Sequence, residues 1–336
     1  ETETMLLKRL LLTQALLFSG LSSNLTAAEL NLYASMPEKY ATQVLAQFSK
    51  DTGIKVNYLR LSAGEVLTRL KAERKNPQVD AVLGGPADFL EAAKQDNLLS
   101  VYRPKNADKI PSQFLDPDGY WTGVGIMPLA FITNNKFLEK QKLKAPSSWL
   151  DLLKPEYKNG IILADARTSG TATERLFSLE MAFGDKGSID YQKQLHKNVQ
   201  MYTKSGAWPA MRVGEGLAAA AIVYLPDALD IKQLGYPVSI SYPKEGVTVG
   251  IETVAVVKGA KNKKEAEAFM EWASSPKFAH FILKNKIQYA PTRTDVAADD
   301  PVLNLSNIKV LDIPLAWKGQ HRGELTEKWI NNVLQK

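Results

Sequence analysis

The sequence predicts a two-lobed α/β protein, a hinged clamshell whose ligand cleft lies between the lobes. Three observations carry this. Strands alternate with helices from residue 30 to 95, the pattern of a parallel sheet covered on both faces. A second alternating unit runs from 161 to 234. Two long apolar stretches, 122–134 (TGVGIMPLAFITN) and 247–258 (VTVGIETVAVVK), read as strands that cross between the two units.

The elements follow in order. Residues 30–34 form a short strand, and 38–52 a helix with Tyr40, Val44, Leu45 and Phe48 at helical spacing. Residues 54–59 are a second strand, 65–75 a helix, 80–83 a third strand and 89–95 a helix. After the first long strand, 161–163 is a strand and 168–183 a helix. Residues 221–225 are a strand and 227–234 a helix. The helix over 263–273 turns Ala266, Phe269, Met270 and Ala273 to one side. This divides the chain into a first lobe (29–128 plus 255–300), a second lobe (129–254) and a helical tail (301–336) packed on the second lobe.

The start of the chain reads as a leader. Lys8 and Arg9 precede a mostly apolar run from 10 to 21, and Thr26, Ala27 and Ala28 offer small residues for cleavage. The run is shorter than the roughly 20 residues a bilayer-spanning helix needs. With no cysteine in the chain, neither a lipid anchor nor a disulfide can form. A soluble, monomeric protein of a Gram-negative periplasm is expected, processed near Ala28. Glu1 to Thr4 have no readable role.

Composition narrows the function. The net charge of +6 favours anions, but the lysines and arginines are scattered, and the Lys261, Lys263 and Lys264 cluster is followed by Glu265, Glu267 and Glu271. A solvated helix start explains that cluster better than a nucleic-acid surface does. His196, His280 and His321 are far apart, so no zinc spacing exists. No G-x-S-x-G elbow or full phosphate-loop motif occurs, which leaves neither a nucleophile nor an ATPase. No cofactor is implied.

Binding residues are sought where parallel strands end, because ligands sit at their carboxyl ends. The first three such loops are Ser35-Met36-Pro37, Ser62-Ala63-Gly64 and Gly84-Gly85-Pro86. Ser35, Ser62 and Gly85 are the candidates there, with simple turn chemistry as the alternative. Arg167-Thr168-Ser169-Gly170-Thr171 lies between a strand and a helix. Free N–H groups, hydroxyls and a guanidinium suit an anion or phosphate. An ordinary helix cap uses the same residues. Asp227 starts a helix after the strand that ends near Tyr224, and is either a ligand contact or a cap. Glu252 interrupts an apolar crossing strand, facing either cleft or water. Trp208 can stack on a ligand ring or pack against its lobe.

The order of several stretches resembles a known family. They are 62–73 (SAGEVLTRLKAE), 76–85 (NPQVDAVLGG), 148–153 (SWLDLL) with 155–158 (PEYK), 168–172 (TSGTA), 202–206 (YTKSG) and 257–262 (VKGAKN). Together they resemble periplasmic solute-binding proteins of ABC importers, in the ferric-iron-type branch, and are nearest in pattern to hexose-phosphate and phosphonate binders. The resemblance implies a type II binding-protein fold, import rather than catalysis, an ABC permease as partner and a separate ATPase subunit. It places ligand contacts at 167–171 and at Tyr224 and Asp227. The ligand so implied is a small phosphorylated or phosphonate-bearing organic anion such as a sugar phosphate. Ferric iron is the alternative, and a phosphoester hydrolase a remote one. Iron-binding relatives carry adjacent tyrosines where this chain has Tyr224-Leu225, and hexose-phosphate binders a His-Asp pair where it has Pro226-Asp227.

The broken tyrosine pair carries a test. One phenolate is too few hard anionic ligands for ferric iron, so the protein is expected to stay colourless after loading with ferric citrate and desalting. A visible phenolate-to-iron charge-transfer band would favour the iron reading.

Overall fold

The computed structural model describes residues 27–287, 289–296 and 308–335. The expected leader therefore lies outside the described residues except for Ala27 and Ala28. The fold is the expected mixed α/β two-lobed arrangement.

In the first lobe, β1 (Glu29–Ala34) pairs in parallel with β2 (Lys55–Arg60) on one side and β3 (Ala81–Pro86) on the other. Helix α1 (Glu38–Thr52) buries Tyr40, Ala41, Val44, Leu45 and Phe48 against the sheet and stops at Gly53, whose N–H donates to the Ser49 carbonyl. Helices α2 (Ala63–Ala72) and α3 (Ala87–Gln95) cover the other face, with Leu67, Leu70, Phe89 and Leu90 in one apolar cluster. A two-residue strand, β4 (Leu99–Ser100), adds to the edge.

Strand β5 (Thr122–Asn134) then serves both lobes. Its first half pairs with β10 (Val249–Val257), and its second half pairs antiparallel with β8 (Ala220–Tyr224) from Leu129 onward. The short helix α4 (Asn135–Gln141) follows. The second lobe repeats the plan of the first. The middle strand β6 (Ile161–Ala164) is flanked in parallel by β7 (Val199–Thr203) and β8. Helix α5 (Gly170–His196) lies between β6 and β7 in sequence and breaks at Gly184 (φ 70°), so the expected end near Phe183 is that of its first segment. Strand β7 and the helix α6 (Trp208–Gly214) were not foreseen; β7 is an edge strand with two exposed residues and no clean alternation. Helix α7 (Leu225–Gln233) and strand β9 (Val238–Ser241) complete the lobe. The full strand order is β2-β1-β3-β10-β5-β8-β6-β7. Strand β10 pairs with β3, β4 and the first half of β5 along its length. The lobe boundary expected at 254/255 is thus displaced to the start of this strand.

The C-terminal part packs as follows. Helices α8 (Lys263–Ala273) and α9 (Pro276–Lys284) join the first-lobe core through Phe269, Met270, Phe278 and Ile282. Strand β11 (Ala290–Pro291) pairs with β5 at Ile126 and Gly125. The tail helix α10 (Leu315–Trp329) buries Leu325 and Trp329 with Ala164, Leu176 and Phe177 of the second lobe. Its other side lies on α3, where Arg322 covers the Phe89 ring at 4.4 Å and Gly319 is pressed against Glu91. The tail expected on the second lobe therefore spans both.

One ion pair fixes the tail. Lys318 and Glu174 are both buried, with Nζ 2.5 Å from Oε1. Lys318 also donates to the Val249 carbonyl at 2.8 Å. Thr248 Oγ1 donates to the same Glu174 carboxylate. Removing one member of such a pair leaves a buried charge uncompensated. Lys318→Ala is expected to cost about 3–5 kcal/mol of unfolding free energy in urea titration, and adding Glu174→Gln to recover part of it. Equal stability of Lys318→Ala and the parent would show that the pair contributes nothing.

Candidate functional site

Because both lobes share one strand plan and β5 and β10 run antiparallel to their neighbours, the carboxyl ends of all six parallel strands face one gap. The loops after β1, β2 and β3 come from one side, and those after β6, β7 and β8 from the other. The cleft between them holds about 500 Å³ of space, part of it open to solvent. Ser35, Ser62, Gly85, Ser169, Gly170, Thr171, Tyr224, Asp227 and Glu252 all line it.

One end of the cleft is built for hydrogen-bond donation. Ser169 and Thr171 are almost fully buried, yet neither hydroxyl has a hydrogen-bond partner among the described residues. Ser169 does not cap the helix it precedes. The N–H groups of Gly170, Thr171 and Ala172 lack backbone partners as well, as expected at a helix start. Gly206 of the β7 loop approaches so closely that a Cβ there would come within 2.7 Å of Ser169 Oγ. Gly170 is equally constrained, since its Cβ would lie 2.5 Å from Pro86 Cγ on the opposite lobe. The Ser35 hydroxyl, near Gly85, is also unpartnered among the described residues.

The other end is acidic. Glu252 lies where the β10 register shifts against both neighbours, and this irregularity turns its side chain toward Gly84-Gly85. The Gly85 N–H donates to Glu252 Oε1 at 3.3 Å. Gly84 has φ +88°, and a Cβ there would meet Glu252 Oε1 at 2.2 Å, so only glycine fits. Burial pushes the Glu252 carboxyl up to about 8, the Gly85 N–H opposing this and the charge of Asp227 adding to it. Asp227, half-buried on the opposite wall, is raised to about 7 by desolvation and by Asp230, with Arg60 opposing.

Other expected residues sit differently. Arg167 is exposed and forks onto Asp165, with Nη2 to Oδ2 at 2.6 Å, so its charge is already taken outside the cleft. Thr168 reaches the other lobe through its carbonyl, which accepts from the Gly64 N–H at 3.0 Å, while its hydroxyl donates to the Lys204 carbonyl of its own lobe at 2.9 Å. Trp208 is exposed at the start of α6 and carries the Arg212 guanidinium 4.6 Å above its ring. The Ser62 hydroxyl donates across the rim to the Lys204 carbonyl at 3.3 Å, and Glu65 accepts from the Ser62 N–H and binds Lys204. Tyr224 lines the cleft, but its hydroxyl reaches back to the Gly170 carbonyl and to Glu174. Sequence reasoning missed Arg60, Met127, Tyr289 and the Gly206-Ala207 loop, which also line the cleft. Arg60 and Gly206 follow from the strand-end rule applied to β2 and β7.

Residues 77–313 match the family described as bacterial extracellular solute-binding protein. The chain belongs to this family. As a solute-binding protein it is a receptor of ABC import, not an enzyme. The structure is similar to the periplasmic binding protein AfuA from Actinobacillus pleuropneumoniae with fructose-6-phosphate bound, at 29% identity and TM-score 0.88, covering 92% of this chain and 99% of that one. A putative 2-aminoethylphosphonate-binding periplasmic protein of Salmonella typhimurium is 34% identical over 143 residues, covering 43% of this chain and 39% of the relative. Iron uptake protein A1 of Synechocystis is 25% identical over 294 residues, covering 84% and 80%.

The raised carboxyl of Glu252 links this cleft to stability. The folded protein holds the acid neutral, whereas the unfolded chain ionises it near 4.5. Its contribution is thus fully present below about 4.5 and is lost as pH rises toward about 8. Glu252→Gln is expected to lose less stability than the parent between pH 5 and 8.5, by a difference on the order of a few kcal/mol. Melting curves at both values check this, and parallel losses in the two proteins would show that Glu252 ionises normally.

Proposed function

We propose that this protein captures a small phosphorylated or phosphonate-bearing organic anion, such as a sugar phosphate, in the periplasm and delivers it to an ABC permease. The observation that carries the reading is the first turn of α5, where three free N–H groups meet the unpartnered hydroxyls of Ser169 and Thr171. Such donors match the oxygens of a phosphate and are aided by the helix dipole. The Ser35 hydroxyl approaches from the other lobe. Glu252 does not oppose an anion, because its raised carboxyl is largely neutral at pH 7. The fructose-6-phosphate in AfuA supports the same class of ligand.

The ferric-iron reading has the iron uptake relative in its favour. The Tyr224 hydroxyl speaks against it. That group is hydrogen-bonded inside the protein, and burial drives its pKa well above the usual phenol range, so a phenolate is disfavoured.

Calorimetric titration with glucose 6-phosphate, glucose and inorganic phosphate tests the proposal. Tight binding of glucose 6-phosphate and weak binding of glucose are expected. A hydrogen bond to a charged group contributes about 1.5–3 kcal/mol, so Ser169→Ala is expected to weaken phosphate-ester binding roughly 10- to 100-fold. Glucose bound as tightly as its phosphate ester, or unchanged affinities in Ser169→Ala, would misplace the anion site.

A further inference from the structure

We propose that Arg60 and Asp227 form a charge filter across the cleft that admits a neutral, hydroxyl-bearing organic group and turns away an ammonium. The inference rests on the phosphate reading above and concerns the other end of the same ligand.

Arg60 ends β2 on the first lobe, and Asp227 lies in the first turn of α7 on the second. Both line the cleft. They are not paired with each other, and among the described residues neither makes an ion pair elsewhere. Arg60 Nε donates to the Met36 carbonyl at 3.4 Å, which leaves both Nη groups without a protein partner among the described residues. Asp227 has no hydrogen-bond donor among the described residues either. The neighbouring acid on α7, Asp230, is already satisfied by Lys39 at 2.5 Å across the rim. Tyr289 adds a third free group: it lines the cleft, and its hydroxyl has no partner among the described residues.

Arg60 on one wall and the Asp227 carboxyl group on the other, held apart, need a bridging group that both donates and accepts. A hydroxyl does this, donating to Asp227 and accepting from Arg60. An ammonium has no lone pair, so it satisfies Asp227 and leaves Arg60 facing a like charge in a partly desolvated space. A second anionic group meets the reverse problem at Asp227. A neighbour of like charge is an effective means of rejecting the wrong ligand. Tyr289 can serve a further hydroxyl or a ring oxygen. The preferred organic part is therefore a polyol or sugar rather than an aminoalkyl chain.

Two matched pairs of probes isolate this group: 2-hydroxyethylphosphonate against 2-aminoethylphosphonate, and glucose 6-phosphate against glucosamine 6-phosphate. Dissociation constants are measured by calorimetry at pH 7 for the parent, Arg60→Gln and Arg60→Lys, with melting curves confirming that each variant is folded. The ratio is read from every pair that binds. The parent is expected to favour the hydroxyl member by about tenfold or more, a difference of roughly 1.4 kcal/mol. Arg60→Gln is expected to bring the ratio near unity, and Arg60→Lys to keep it. Equal or tighter binding of the ammonium member by the parent would overturn the filter while leaving the phosphate site intact. An unchanged ratio in Arg60→Gln would overturn it too. Failure of all four probes to bind would instead strike the phosphate reading, and the filter would fall with it.

Discussion

Everything in this protein depends on the antiparallel pairing of β5 with β10 between two parallel half-sheets. A parallel sheet gathers its loops at one end, so each lobe alone offers three loops on one side. The crossing pair turns the second sheet so that its loop-bearing end faces that of the first. Ser35 and Arg60 then oppose Ser169 and Asp227 without any loop being long. The register shift in β10 at Glu252 belongs to the same pairing, and it places a carboxylate on the cleft floor, where an uninterrupted strand would alternate it by rule.

Close approach explains the glycines better than flexibility does. Gly64 brings the rim of one lobe against the Thr168 backbone of the other, Gly170 accepts Pro86, and Gly206 closes over Ser169 and Thr171. At Gly64 and Gly170 a side chain would hold the lobes apart by the width of a methyl group, and at Gly206 it would fill the space over Ser169 and Thr171 within the second lobe. The lobes thus meet backbone to backbone around the cleft, with the Lys204–Glu65 and Lys39–Asp230 pairs at the edges. These exposed pairs are worth little each in solvent, so contact geometry rather than charge sets the closed arrangement.

Much of this was legible in the sequence. The alternation of strands and helices located five of the six strand-end loops, the one after the unforeseen β7 excepted, and small residues in them marked Ser35, Ser62 and Ser169. What was illegible has particular causes. Arg167 looked like the natural anion partner, but Asp165, two residues earlier, takes its guanidinium. Arg60 lies one residue beyond the strand expected at 54–59, where the strand-end rule points to the loop but nothing local shows which side chain enters the cleft. Tyr289 lies in a segment without periodicity and reaches the site only because β11 pairs with β5, over 160 residues earlier in the chain. The i, i+4 spacing of Trp208 and Arg212 was visible, yet it acquires meaning only once α6 is known to be a helix.

The sharing of β5 has a consequence for how the molecule comes apart. Half of that strand completes one sheet and half completes the other. The first lobe is also assembled from both ends of the chain, since α8, α9 and β11 return to it after the whole second lobe has been made. Neither lobe can lose its structure without stripping a central strand from its neighbour. With β5 shared between the sheets, the two described lobes are not built as separate units, and the first core is complete only with α8, α9 and β11 in place. Long-range closure of this kind makes folding slow relative to a protein of local contacts.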